Sequence, residues 1–108
     1  IVIETNQGGD MCENTLRLSG FSGRIIRVHA SKGKVLRAEP VVALYEQVFV
    51  KHESGLHDLE EEMMDFDPVS GLAGGKSPNR VDALVWALTE LADLDREESA
   101  VFRPSGRR

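Results

Sequence analysis

Several features are scarce or missing in this 108-residue sequence. It contains one cysteine, Cys12, which excludes an internal disulfide and is compatible with a reducing compartment. No apolar run approaches the roughly 20 residues that a membrane-spanning helix needs, and no signal-peptide pattern is present. Lys and Arg, 13 in all, are outnumbered by 18 Asp and Glu, so the net charge is −5. Because nucleic-acid coat proteins are basic, any contact with nucleic acid must be local or supplied by other parts of the protein.

The composition, 41% hydrophobic and 29% charged, fits one small soluble domain with a modest core. Residues 1–94 are predicted to form this domain, and the charged residues 95–108 are predicted to form a flexible tail. The sequence begins at Ile1 without an initiator methionine. This start predicts that the chain is a piece of a longer protein.

The clearest local signal is a helix at residues 77–91. Ser77 is a suitable N-cap, and Pro78 fits the first helical position, where its missing N–H costs nothing. The apolar residues that follow have the spacing of one helical stripe; they are Val81, Leu84, Val85, Leu88 and Leu91. Trp86 lies off this stripe, on the same side as Asp82, and is predicted to pack in the core or against another domain.

Other segments alternate between strand and helix patterns. Strands are predicted at residues 1–5, 24–28 and 48–51, and helices at 10–18, 37–47 and 56–66. Pro40 is expected in the first turn of its helix, and Met11, Thr15 and Leu18 are expected to face inwards. This alternation predicts an α/β fold, with a mainly parallel sheet of about three strands flanked by helices.

Two acids stand out against this framework. Glu4 comes at the end of an apolar strand, where parallel sheets gather functional groups, and Asp82 lies near the start of the last helix. Together they indicate a site for Mg²⁺, which takes oxygen ligands and keeps several waters. The structural alternatives stay open: Glu4 simply reaches solvent where the strand ends, and Asp82 is favoured by the helix dipole by roughly 0.3–1 kcal/mol.

A basic loop between the second strand and the next helix is the other candidate. Lys32, Lys34 and Arg37 are predicted to position DNA phosphates, and an ordinary solvated loop is the alternative. His52 and His57 do not have a known zinc spacing and are predicted to lie on the surface. The Gly-rich residues 71–77 fail the spacing of a nucleotide-binding loop.

Several blocks occur in a fixed order along the chain: IVIETNQGG at residues 1–9, HASKGK at 29–34, RAEP at 37–40 with LYEQ at 44–47, and SPNRVDALVWAL at 77–88. As a set they resemble the C-terminal nuclease domain of the phage terminase large subunit, over roughly residues 1–92. The resemblance implies a partial ribonuclease H-like fold and a metal-dependent endonuclease that cuts concatemeric viral DNA during genome packaging.

The resemblance also assigns roles to residues. Glu4 and Asp82 match two catalytic acids that bind Mg²⁺ or Mn²⁺, with two ions expected in the intact domain. A third acid, an earlier Asp on the first strand of the fold, is expected outside this chain. The chain alone is therefore expected to bind metal weakly and to cut poorly, if at all.

The implied partners are double-stranded DNA, the ATPase domain of the same subunit, and possible portal and small terminase subunits, in the host cytoplasm at the procapsid portal. Two alternatives remain open. One is a non-catalytic interaction module of the packaging motor that docks through the acidic helix at residues 56–66. The other is a different ribonuclease H-like nuclease, such as a junction resolvase, which the same two acids would also suit.

Overall fold

A computed structural model of the chain describes residues 1–5 and 9–92. The predicted tail at residues 95–108 lies outside the described residues. The chain has a mixed α/β fold, which confirms the predicted class. Its elements in order are β1 (Val2–Glu4), α1 (Gly9–Leu18), β2 (Ile26–Val28), α2 (Lys34–Glu46), α3 (His57–Asp65), β3 (Phe66–Asp67), β4 (Leu72–Ala73) and α4 (Asn79–Leu91).

The predicted parallel pairing is present between β1 and β2, with Ile3 opposite Arg27 and Glu4 opposite Val28. The third predicted strand, at residues 48–51, is wrong, because α2 ends there in a turn rather than an extended segment. Within the described residues, the other two strands form a short antiparallel hairpin, β3 with β4. Strand β4 lies within the Gly-rich residues 71–77.

Helix α1 packs beside the parallel strands, but not through its predicted face. Met11 is 73% exposed and Leu18 is 88% exposed, so the expected inward face is wrong. Arg27 on β2 instead contacts α1 at the protein surface, where its guanidinium donates hydrogen bonds to Asp10 and Glu13. The hydrogen bond that Arg27 donates to Asp10 raises the pKa of Arg27 above its usual value, with smaller contributions from the charges of the two acids.

The hydrophobic core lies between three helices. Ala38 and Val41 of α2 pack with Val81 and Val85 of α4, and all four are buried. Half-buried side chains complete this core at its edges: Tyr45, Leu59, Met63, Phe66 and Leu88. The stripe predicted for α4 is thus confirmed as far as Leu88 and ends before Leu91, which is 78% exposed.

Helix α4 begins differently from the prediction. It starts at Asn79, and Ser77 provides no side-chain cap. Glu62 of α3 takes that role, because its carboxylate accepts a 2.6 Å hydrogen bond from the backbone N–H of Val81. A carboxylate at a helix N-terminus also interacts favourably with the helix dipole. The cap therefore comes from a neighbouring helix, and it connects the start of α4 to α3.

Helix α2 starts at Lys34, three residues before the predicted start, so Pro40 lies in the helix interior and not in the first turn. Proline has no N–H to donate to the carbonyl of Leu36. Leu36 and Pro40 are both exposed, so water can donate a hydrogen bond to the carbonyl of Leu36. Because α2 starts at Lys34, the helix fixes the backbone of this residue and thereby the direction in which its side chain leaves the helix.

Helices α1 and α2 end in the same type of turn. At the end of α2, the N–H groups of Val48 and Phe49 bond the carbonyls of Tyr45 and Leu44, which is the Schellman pattern. The first residue after the C-cap of the helix adopts a left-handed conformation in this turn. In α1 that residue is Gly20, with φ 102°, but in α2 it is Val48, with φ 62°. A β-branched residue is strained in this conformation.

We expect the substitution Val48→Gly to stabilise the domain by about 0.5–1 kcal/mol. It relieves a left-handed penalty of about 1–2 kcal/mol, partly offset by the greater flexibility of glycine in the unfolded chain. Val48 is 71% exposed, so little burial is lost. Thermal unfolding should show a melting temperature higher by about 2–8 °C. The matched change Gly20→Val should lower it, and a lower melting temperature for Val48→Gly would contradict the account.

The cap of α4 gives a second prediction. Glu62→Ala should destabilise the domain by about 0.5–2 kcal/mol, as loss of a helix cap does. Ser77→Ala should change stability by less than about 0.5 kcal/mol, and Glu62→Gln, which keeps an acceptor oxygen, should fall between the two. Denaturant unfolding of the three variants provides the measurement. A larger effect at Ser77 than at Glu62 would show that the cap is assigned to the wrong residue.

Candidate active site

Glu4 is held at the end of β1 by a side chain from α4. The indole N–H of Trp86 donates a 3.2 Å hydrogen bond to Oε1 of Glu4. The indole itself is only 8% exposed, whereas Glu4 is exposed. The acid therefore does reach solvent at the strand end, as the structural alternative expected, but with one carboxylate oxygen fixed in place.

Asp82, in the first turn of α4, contacts the first residue of α2. Its Oδ2 lies 3.4 Å from Nζ of Lys34, and both side chains are partly exposed, by 26% and 35% respectively. Ion pairs that remain accessible to water contribute about 0.2–1 kcal/mol. Asp82 is thus compensated by a cation, whereas the partner of Glu4 is a neutral donor.

Arg37 completes the contacts around Trp86. Its guanidinium carbon lies 4.8 Å from the centroid of the indole ring, a cation–π geometry worth about 0.5–1 kcal/mol at accessible sites. Its Nε–H also donates a 3.1 Å hydrogen bond to the backbone carbonyl of Lys32. Arg37 therefore connects the predicted basic loop to the residue that holds Glu4.

These contacts bring the predicted acids and bases to one region. Asp82 and Trp86 are four residues apart on α4, which places their Cβ atoms about 5–6 Å apart on one face of the helix. Glu4 contacts Trp86, and Lys34 contacts Asp82. We call this group of residues the acid–base strip; it consists of Glu4, Trp86, Arg37, Lys34 and Asp82. It joins β1, α2 and α4, which are far apart in sequence.

The strip offers oxygen ligands of the type that Mg²⁺ prefers. Among residues 1–5 and 9–92, one side chain contacts one oxygen of each acid, Trp86 for Glu4 and Lys34 for Asp82. The described residues include no group of three or more His, Cys, Asp or Glu side chains that could hold a metal ion. Glu4 and Asp82 alone would supply only part of the ligand set of such an ion.

The role of Trp86 as a hydrogen-bond donor was not predicted from the sequence. The spacing of Asp82 and Trp86 was visible, but the pairing of an indole N–H with Glu4 depends on the position of α4 against β1. The partner of Asp82 was not predicted either, because the helical start at Lys34 was not recognised. Both misses concern contacts between elements rather than the identity of the elements.

His52 does not have the surface role predicted for it. Its side chain is 15% exposed and lies between Tyr45 and Glu60, with 2.8 Å contacts from Nε2 to the tyrosine hydroxyl and from Nδ1 to the glutamate Oε2. An ionised carboxylate only accepts, so Nδ1–H donates to Glu60 and, in the neutral ring, the hydroxyl of Tyr45 donates to Nε2. This chain of hydrogen bonds fastens the segment after α2 to α3.

The outer face of α3 is less free than predicted. Glu60 binds His52, and Glu62 caps α4, so two of its acids serve contacts within the domain. Asp58 lies 3.6 Å from the guanidinium of Arg80. Charge reversal at Glu60 or Glu62 would therefore disturb the fold itself and would not report on a docking surface.

A family model described as the terminase RNaseH-like domain matches residues 1–91. The chain therefore belongs to the terminase RNaseH-like domain family. This match confirms the resemblance to the C-terminal nuclease domain of a terminase and agrees with the mixed α/β fold. Comparisons with curated proteins and with solved structures gave no match. Within the described ranges, no helix combines the length and apolar character needed to cross a membrane.

The environment of Tyr45 gives a prediction about alkaline pH. Burial, followed by the negative charge of Glu60, raises the pKa of Tyr45 above its ordinary value of 10.0. The unfolded chain therefore loses this proton first, so the contribution to stability is complete below pH 10.0 and is lost as pH rises through the folded-state pKa. Tyr45→Phe should lose about 1 kcal/mol at neutral pH and should show a shallower alkaline loss.

This prediction is checked by following unfolding as a function of pH for both proteins. Tyr45 is the one tyrosine in the sequence, so the phenolate absorbance of the folded protein also reports its titration alone. An apparent pKa at or below 10.0 in the folded protein would contradict the hydrogen-bonded, half-buried position.

Proposed function

We propose that this domain is the divalent-metal-dependent endonuclease module of a terminase large subunit, which cuts concatemeric viral DNA during genome packaging. Glu4 and Asp82 act as metal ligands and catalytic acids. The observation that carries the proposal is that Glu4 hydrogen-bonds Trp86, which lies one helical turn from Asp82 on α4, although the two acids are 78 residues apart (82 − 4). Membership of the terminase RNaseH-like family supports it.

The two acids suit different parts of one site. Trp86 fixes one oxygen of Glu4 through a neutral donor, so the carboxylate keeps its full negative charge for a cation. Asp82 is oriented by α4, whose start is fixed by Glu62. Bound Mg²⁺ or Mn²⁺ ions, two in the intact domain, supply activation of a water and stabilisation of the leaving oxygen. A further Asp from the rest of the parent protein completes the ligand set in this proposal.

The basic residues next to the acids suit a DNA backbone. We assign Lys32, Lys34 and Arg37 to phosphate contacts, which position DNA without reading its sequence. Arg37 is already ordered by Trp86 and by the carbonyl of Lys32. A local patch of this kind is compatible with DNA binding despite the net charge of −5. Basic side chains are needed only where the DNA strand passes Glu4 and Asp82.

The remaining partners follow from the same proposal. They are double-stranded DNA, the ATPase domain of the same subunit, the portal and the small terminase subunit, acting at the procapsid portal in the host cytoplasm. The alternative of a non-catalytic interaction module is less well supported, since Glu60 and Glu62 of the acidic helix are engaged inside the domain. Glu61, which is exposed, is the suitable position for a charge reversal that tests docking.

Trp86, the one tryptophan of the sequence, provides a direct test. Because its indole contacts Glu4, binding of paramagnetic Mn²⁺ at the strip should quench its fluorescence in a saturable way. Glu4→Gln and Asp82→Asn should each weaken the apparent Mn²⁺ affinity by about tenfold or more, the effect of about 1.4 kcal/mol or more of lost binding energy. The matched control Glu61→Gln should leave the titration unchanged.

The same variants test catalysis in the intact terminase subunit. Glu4→Gln and Asp82→Asn should abolish Mg²⁺- or Mn²⁺-dependent nicking of DNA, while Glu61→Gln should cut normally and Glu61→Lys should affect only docking. Full cutting by both acid variants would reject the nuclease assignment. Mn²⁺ quenching that is equal in all the variants would reject the metal site.

A further inference from the structure

The two acids of the strip are held by partners of different charge. Glu4 accepts from the neutral indole of Trp86, whereas Asp82 faces the ammonium of Lys34 at 3.4 Å. Among residues 1–5 and 9–92, the side chain that hydrogen-bonds Glu4 is a neutral indole, which brings no charge to compete with a divalent cation. At Asp82 such a cation occupies the place where a positive charge already compensates the carboxylate. Lys34 is therefore the group in the strip that must respond when a cation binds.

The contact between Lys34 and Asp82 has the features of an exchangeable ion pair. Both side chains remain accessible to water, and the distance exceeds that of a short charge-assisted hydrogen bond. Lysine carries its charge on a flexible four-carbon stem, so the ammonium can move several ångströms without moving the helix. Lys34 is the first residue of α2, next to the basic loop and to Arg37, so a displaced ammonium remains among the other cations of the strip.

We propose that Lys34 exchanges partners when the site is loaded: it compensates Asp82 in the absence of a divalent cation and turns to a DNA phosphate when one is bound. This inference rests on the proposed function, because it uses the same two acids as ligands. It adds a coupling between cation binding and DNA binding, which follows from neither the metal-ligand role of Asp82 nor the phosphate contact of Lys34 alone. Since Asp82 and the phosphate compete for one ammonium, cation binding and DNA binding strengthen each other, and the coupling is reciprocal.

The exchange is observable at the lysine itself. In the 108-residue chain with isotope-labelled lysine, the Cε and Nζ signals of Lys34 should shift when Mg²⁺ is added, and those of Lys32 should not. A short DNA duplex should perturb the Lys34 signals at a concentration lower by about two- to fivefold when Mg²⁺ is present, the equivalent of a partly exposed ion pair. NaCl of matched ionic strength should not replace Mg²⁺, which separates exchange from simple screening.

Two variants sharpen the test. Lys34→Met removes the competitor, so Mn²⁺ affinity, read from Trp86 fluorescence, should rise by about two- to fivefold, the equivalent of a partly exposed ion pair. The matched Lys51→Met, at an exposed lysine outside the strip, should leave it unchanged. Asp82→Asn releases Lys34 permanently, so in this variant DNA should perturb the Lys34 signals at the same DNA concentration with or without Mg²⁺.

The outcomes separate this inference from the proposed function. If Mn²⁺ quenches Trp86 in a manner that needs Glu4 and Asp82, but the Lys34 signals do not move and Lys34→Met binds no tighter, the exchange is wrong and the metal site stands. If Mn²⁺ does not bind at these acids at all, both are wrong. Perturbation of the Lys34 signals by DNA at the same DNA concentration with and without Mg²⁺ would also overturn the exchange.

Discussion

Helix α4 is buried on two adjoining sides, and the rest of the domain depends on this packing. Val81 and Val85 meet α2 in the hydrophobic core, while Trp86, also buried, hydrogen-bonds Glu4 on β1. Because side chains four residues apart share one helical face, packing Trp86 against β1 also directs Asp82 towards the same region. The hydrophobic core and the candidate site are therefore positioned by one element, and a shift of α4 would alter both.

The electrostatics of the strip follow from this arrangement. Burial of a carboxylate is costly unless it is paired, but both acids avoid that cost by remaining partly exposed and by using one partner each. An indole N–H orients Glu4 without cancelling its charge, and Lys34 pairs with Asp82 while both side chains stay partly exposed. The strip thus places two carboxylates in a defined geometry next to three basic side chains, those of Lys32, Lys34 and Arg37. A divalent cation and a DNA strand both require such a combination.

The sequence predicted the elements better than their contacts. The apolar stripe of α4, the parallel pairing of the first two strands and the membership of a terminase nuclease family are all confirmed. The errors arose where a distant partner overrides a local rule. Ser77 is a good cap by local chemistry, but Glu62 reaches the free N–H group. Residues 48–51 have strand composition, but the first of them, Val48, is left-handed and closes the turn that ends α2.

The candidate site shows the same limit. Glu4, Asp82, Lys34 and Arg37 could be selected from residue type, order and family resemblance. The hydrogen bond from Trp86 and the ion pair of Lys34 could not be predicted, because each depends on how two elements meet. Local pattern likewise assigned His52 to the surface, whereas tertiary packing places it between Tyr45 and Glu60.

The central claim is that Glu4 and Asp82 belong to one cation site. Anomalous diffraction from crystals of this chain soaked in Mn²⁺ tests it most directly, because the metal is located independently of any activity. The account predicts a peak with an oxygen of Glu4 and an oxygen of Asp82 both at about 2 Å. A Mn²⁺ ion bound to only one of these acids, with the other carboxylate directed elsewhere, would contradict it.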